Sequence, residues 1–164
     1  MHTGYKIFLI FIIYLAWLIQ STFLGYLQIA GVKPDILLCI VIFIGLYSDE
    51  SFNLKTGLFA GVLKDILSAG IFGLNILIFA LVSIVVSNYS NKINKESILL
   101  QIALCFFIAF LMSNLYYLIG NIYMSFPDYF QSLNTIIIPS SLYTCWAYYL
   151  VFIILSRTLK IYQQ

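Results

Sequence analysis

The sequence predicts an all-α fold: a single polytopic domain, residues 1–164, forming an integral membrane bundle of about six transmembrane helices with both termini cytoplasmic. Three observations carry this. Apolar residues make up 63% of the chain and charged ones only 9%, where a soluble domain carries roughly 25% charged. The apolar residues lie in long runs separated by short polar breaks, the longest from Ser87 to Ser97. Mean hydropathy is +1.03, and the basic residues are unevenly shared between the breaks.

The first span covers 7–24. An apolar run after Lys6 also suits a signal peptide, but Gln20-Ser21-Thr22-Phe23 offers no small-x-small cleavage site, so the segment reads as uncleaved. The second span, 35–47, opens at Pro34-Asp35. The fixed φ of proline and the positive end of the helix dipole both suit that start. Ser48-Asp49-Glu50-Ser51 ends it. The stretch 54–86 is too long for one helix and is broken at Gly70-Ile-Phe-Gly73, giving a third span over 55–68 and a fourth over 72–88. The second and third are shorter than the roughly 20 residues that cross a 30 Å core. They must be covered by longer neighbours or sit where the bilayer thins. A five-span version with a re-entrant hairpin is the alternative. The fifth span, 98–122, and the sixth, 136–155, carry no charge.

Charge orients the six-span version. With the N-terminus inside, the cytoplasmic side receives Lys6, Lys55, Lys92, Lys95, Arg157 and Lys160, and the outside Lys33 and Lys64. That is the positive-inside bias, and an odd number of spans would lose it. Tyr116, Tyr117, Tyr123, Phe126, Tyr129 and Phe130 surround the outer loop between the last two spans, as amphipathic rings do at headgroup level.

This topology brings the start of the second span and the end of the third to one side. Lys33, Asp35, Lys64 and Asp65 should gather there in a polar cluster. Asp65 sits near a helix C-terminus, which disfavours an anion, and an ionisable group in a membrane needs a partner. Its candidate donors are Lys64, Lys33 and the free N–H groups around Gly73 to Asn75. Gly57 and Gly61 stand four apart on the face that Asp65 continues, a spacing that lets two backbones approach closely. Gly70 and Gly73 read as the reversing turn.

Several chemistries are disfavoured. The only histidine is His2, so no Ser-His or Cys-His nucleophile and no histidine metal site is expected, and the chain reads as non-enzymatic. Asp35 and Asp65 could pair for acid–base work, but with lysines beside both they read as a structural salt-bridge cluster. Cys39, Cys105 and Cys145 lie in apolar runs without ligand spacing and read as small core residues. Gln101, Ser113, Asn114, Ser140, Ser141 and Thr144 are helix–helix hydrogen-bonding residues rather than a proton relay. A net charge of +2 with scattered basic residues implies no nucleic acid. No cofactor is expected.

The order Gly31-Val-Lys-Pro34-Asp35, then Gly57-x-x-x-Gly61-x-x-x-Asp65, then Gly70-x-x-Gly73-Leu-Asn75 resembles the rod shape-determining MreD family. These motifs cover 31–75; the rest agrees in length and hydropathy. Lys64 departs from the pattern, in which an apolar residue is expected, and argues for a shallower Asp65. The resemblance implies a non-enzymatic subunit of the bacterial cell-elongation complex in the cytoplasmic membrane. It implies a single-span MreC-like partner and, indirectly, MreB and the peptidoglycan polymerase and transpeptidase pair. It also implies a fold like that of the substrate-binding S-components of energy-coupling-factor vitamin transporters.

An S-component is itself the alternative reading. Those proteins resemble one another in an Ala-x-x-x-Ala docking face on the first span, where this chain has only Ala16, with Gln20 four residues on. A third class, a small channel, lacks a pore-lining polar stripe.

Overall fold

The computed structural model describes residues 3–22, 28, 31–68, 71–90, 97–120 and 126–163. Within them the chain is helical, without strands. The order is α1 (Thr3–Thr22), α2 (Ile36–Tyr47), α3 (Glu50–Leu67), α4 (Leu74–Tyr89), α5 (Ile98–Gly120), α6 (Phe126–Ser132), a π-helical turn (Leu133–Ile137) and α7 (Ile138–Gln163).

The second helix is the hub. Its sequence, ILLCIVIFIGLY, has no polar face, and a helix apolar all round belongs either in a protein core or against lipid. Every residue from 37 to 46 is buried, with α1, α3, α4, α5 and α7 packed around it. At 12 residues it is about 18 Å long, so its longer neighbours do cover it. The most intimate pair in the bundle is α3 with α4, followed by α5 with α7.

Among the described residues, three helices are long and apolar enough to cross a membrane: Gly4–Thr22, Ile98–Ile119 and Tyr129–Thr158. Ile36–Tyr47 and Leu74–Tyr89 are shorter apolar helices.

Two boundaries differ from expectation for physical reasons. The third helix starts at Glu50, not near residue 55, because acidic residues suit a helix N-terminus instead of interrupting it. The Asp49 carboxylate just before it pairs with Lys6 of α1 at 3.3 Å. The last helical segment starts well before residue 136. Its π-helical turn lies directly ahead of Pro139, which has no N–H to give and whose ring crowds the preceding turn. Widening the helix there accommodates the proline without breaking the rod.

The candidate functional site

The site is built on the antiparallel hairpin of α3 and α4. Along α3, Asn53, Gly57, Gly61 and Asp65 stand four apart; along α4, so do Asn75, Phe79, Ser83 and Ser87. A four-residue step keeps each set on one helix face, and these two faces meet. At one end of the seam, the Asn53 Nδ2 donates to Ser83 O and to Ser87 Oγ, both at 2.9 Å, with Asn53 fully buried. In the middle, the glycines let the backbones touch. A Cβ on Gly57 would stand 2.9 Å from Phe79 O, and one on Gly61 would stand 2.6 Å from Ile76 Cα. No ordinary side chain fits at Gly61 without separating the helices.

Asp65 closes the other end. The N–H groups of Gly73 (3.0 Å) and Ile76 (3.2 Å) donate to its Oδ2, and the N–H (3.2 Å) and Nδ2 (2.7 Å) of Asn75 donate to its Oδ1. A carboxylate from α3 thus caps α4, whose own cap position is Gly73 and has no side chain to offer. Gly73 has φ +96°, a left-handed conformation that glycine adopts without strain. The unfavourable dipole at the end of α3 is met by the favourable one at the start of α4. Despite the neighbouring lysine, Asp65 is only 3% exposed, deeper than that departure from the family pattern suggested.

Lys64 turns the other way. Its ammonium forms an ion pair with the Asp35 carboxylate and lies over the rings of Phe79 (5.0 Å to the centroid) and Tyr116 (4.9 Å). Asp35 caps α2 by accepting from Leu38 N–H at 3.1 Å, and its own N–H donates to Thr144 Oγ1 of α7 at 3.3 Å. The next free N–H of that helix, Leu37, donates to Gln20 Oε1 of α1 at 3.3 Å. The Tyr116 hydroxyl donates to Asn75 Oδ1, joining α5 to the hairpin and fixing the orientation of the Asn75 amide.

Asp35, Lys64, Asp65, Gly73 and Asn75 therefore meet at one end of the bundle, with Pro34 buried beside Asp35. Two expected participants stand apart. Lys33 is exposed and forms no ion pair among the described residues, because Lys64 already neutralises Asp35. Gly70 lies outside the described residues, as does Tyr123. The donors to Asp65 are the N-terminus of α4 and Asn75, not either lysine.

Three of the tyrosines near this end also make internal hydrogen bonds. Besides Tyr116, the Tyr117 hydroxyl meets Ser132 Oγ, and Tyr129 donates to Asn114 Oδ1. Phe130, 62% exposed, keeps the expected outward position.

Reading the sequence missed Asn53, Ser83, Ser87 and Gly45. A Cβ on Gly45 would stand 2.6 Å from Asn53 Nδ2 and 2.7 Å from Val86 Cγ1. Extending the four-residue step one turn back from Gly57 would have found Asn53.

Chemically the cluster is closed. Both oxygens of Asp65 are occupied by four donors, and Asp35 is held by Lys64 and Leu38. At the opposite end of the bundle, Gln101 accepts from the Tyr148 hydroxyl (2.8 Å) and donates to the Tyr47 hydroxyl (2.9 Å), tying α2, α5 and α7 together. These polar groups serve helix–helix contact. The three cysteines are buried free thiols.

A family model described as rod shape-determining protein MreD matches residues 1–160. Neither the curated proteins nor the solved structures give a match.

Proposed function

The chain belongs to the MreD family of rod shape-determining membrane proteins, and from that premise we propose that it is the polytopic subunit of a bacterial cell-elongation complex. In this reading it crosses the cytoplasmic membrane six times, both termini are cytoplasmic, and the Asp65 end of the bundle faces outward. It binds an MreC-like single-span partner, and through it MreB and the peptidoglycan polymerase and transpeptidase pair. Its role is non-enzymatic: it holds a partner helix and helps to organise wall synthesis and cell shape.

The observation that carries the scaffold reading is the closed polar cluster. Every charged group at the Asp65 end that lies below the surface is spent on an internal partner, so the charges rigidify a helix hairpin rather than offer themselves to a solute. Intramembrane charge is costly unless paired, and here pairing locks α2, α3, α4 and α5 to one another. The first helix also speaks against the transporter-component alternative. Ala16 is buried, and Gln20 reaches inward to α2, so that stripe is not open for docking to another protein.

Purification of the tagged protein from its native membrane in mild detergent tests this. The scaffold reading expects a single-span protein with a periplasmic domain to come with it. Recovery of ATPase subunits, or of a tightly bound vitamin, defeats it.

A further inference from the structure

We propose that the cleft between α4 and α5 holds one acyl chain of a membrane phospholipid. The fourth helix packs on α3 and α2 and the fifth chiefly on α7, and the two hardly touch each other, which leaves a cleft of about 160 Å³ between them. Its walls are Ile78, Val82 and Val85 from α4 and Ile108, Met112 and Leu115 from α5, with Leu81 and Leu111 half-exposed at the mouth. No polar atom lines it.

Three features select the occupant. A wall without charge or hydrogen-bonding atoms is complementary to hydrocarbon, and not to a headgroup or to a solute's polar atoms, which must stay outside it. Size decides between hydrocarbons. An apolar cavity of about 150 Å³ admits a benzene ring, so this one takes a short run of methylenes. A helix with its side chains is about 10 Å across and cannot enter. Finally, the cleft stops at the Asp65 end. There Tyr116, next to Leu115, donates to Asn75, one turn before Ile78, and Lys64 lies against the Tyr116 ring with its charge balanced by Asp35. That polar bar leaves the lipid-facing side as the way in. Filling the cleft restores the dispersion contacts that its lining atoms otherwise lack. The inference needs the membrane setting but not the proposed partner.

The test places the full chain, isolated with any protein that accompanies it, in phospholipid vesicles. These contain a small share of phosphatidylglycerol with a diazirine midway along one acyl chain. After illumination, adducts are mapped by mass spectrometry. Adducts at Val82, Ile108 and Met112 should exceed those at the outward-facing Leu77, Leu99 and Phe107 several-fold. Val82→Phe should lower the cleft adducts and leave the outward ones unchanged. Val85→Phe, at a half-exposed position that tolerates bulk, does the same if Val82→Phe fails to fold. Even labelling of all lipid-facing surfaces, or cleft labelling that neither substitution alters, would overturn the proposal. So would a partner helix crowding lipid out of the cleft.

Discussion

Replacing Asp65 with alanine should unfasten the hairpin. Four donors lose their acceptor at once: the buried N–H and Nδ2 of Asn75 and the partly buried N–H groups of Gly73 and Ile76. An ordinary side-chain cap is worth about 0.5–2 kcal/mol, and a charged acceptor roughly doubles each bond. Each buried donor left alone costs about 1–3 kcal/mol, but the four share one turn and relax together, so the sum is not additive. A net loss of about 3–5 kcal/mol follows. For a chain of this size each kcal/mol lowers the melting temperature by about 2–4 °C, which predicts a drop of at least about 6 °C. Thermal unfolding of the detergent-solubilised protein, followed by size-exclusion chromatography of the soluble fraction, reads it directly. Asp65→Asn should fall between, since one carbonyl oxygen still accepts while its NH2 faces other donors. An Asp65→Ala protein melting within about 2 °C of wild type would refute the capping argument.

Three further outcomes follow from the same geometry. Gly61→Leu should abolish folded or partner-bound protein, and even Gly61→Ala should lower stability, because its Cβ would stand 2.6 Å from the Ile76 backbone; Gly4→Ala, with nothing within 4 Å, serves as a neutral control in the same melting assay. Removing one member of the Asp35–Lys64 pair should destabilise by about 3 kcal/mol or more, whereas the double change Asp35→Leu with Lys64→Met should recover much of the loss, since it leaves no uncompensated charge. A double variant no better than the worse single one contradicts the pairing. Tyr116→Phe removes one hydrogen bond but keeps the ring under Lys64, so it should cost only about 1 kcal/mol in the same melting assay; a loss as large as that of Asp65→Ala would mean that the hydroxyl does more than join α5 to Asn75.

Much of the helical frame was legible because it rests on local rules. Apolar run length set α1, α4 and α5 to within a few residues, and Gly73 marked the reversal before α4 because a left-handed residue leaves little choice but glycine. The spacing of Gly57, Gly61 and Asp65 gave the face on which α3 meets α4. What the sequence withheld was choice among equals. Lys64 and Lys33 both lay within plausible reach of both aspartates, and only the rotation of α3 about its axis decides that Lys64 turns to Asp35. Tyr116 resembled its aromatic neighbours until its distance to Asn75 was known. Asn53 was hidden for another reason: an amide in a half-polar helix start gives no sign of burial until a partner helix covers it. The start of α3 was misplaced because acidic residues can end one helix or begin the next, and the four residues Ser48 to Ser51 do both.

On the proposed topology, the start of α2 and the start of α4 stand on one side of the membrane, with the Asp35 and Asp65 carboxylates beneath them. Spheroplasts with an intact cytoplasmic membrane and single cysteines at Lys33, Ile71 and Glu50, treated with a membrane-impermeant maleimide, test it most directly. Lys33→Cys and Ile71→Cys should react from outside, and Glu50→Cys only after lysis. Reaction of Lys33→Cys and Ile71→Cys from opposite sides would contradict the account.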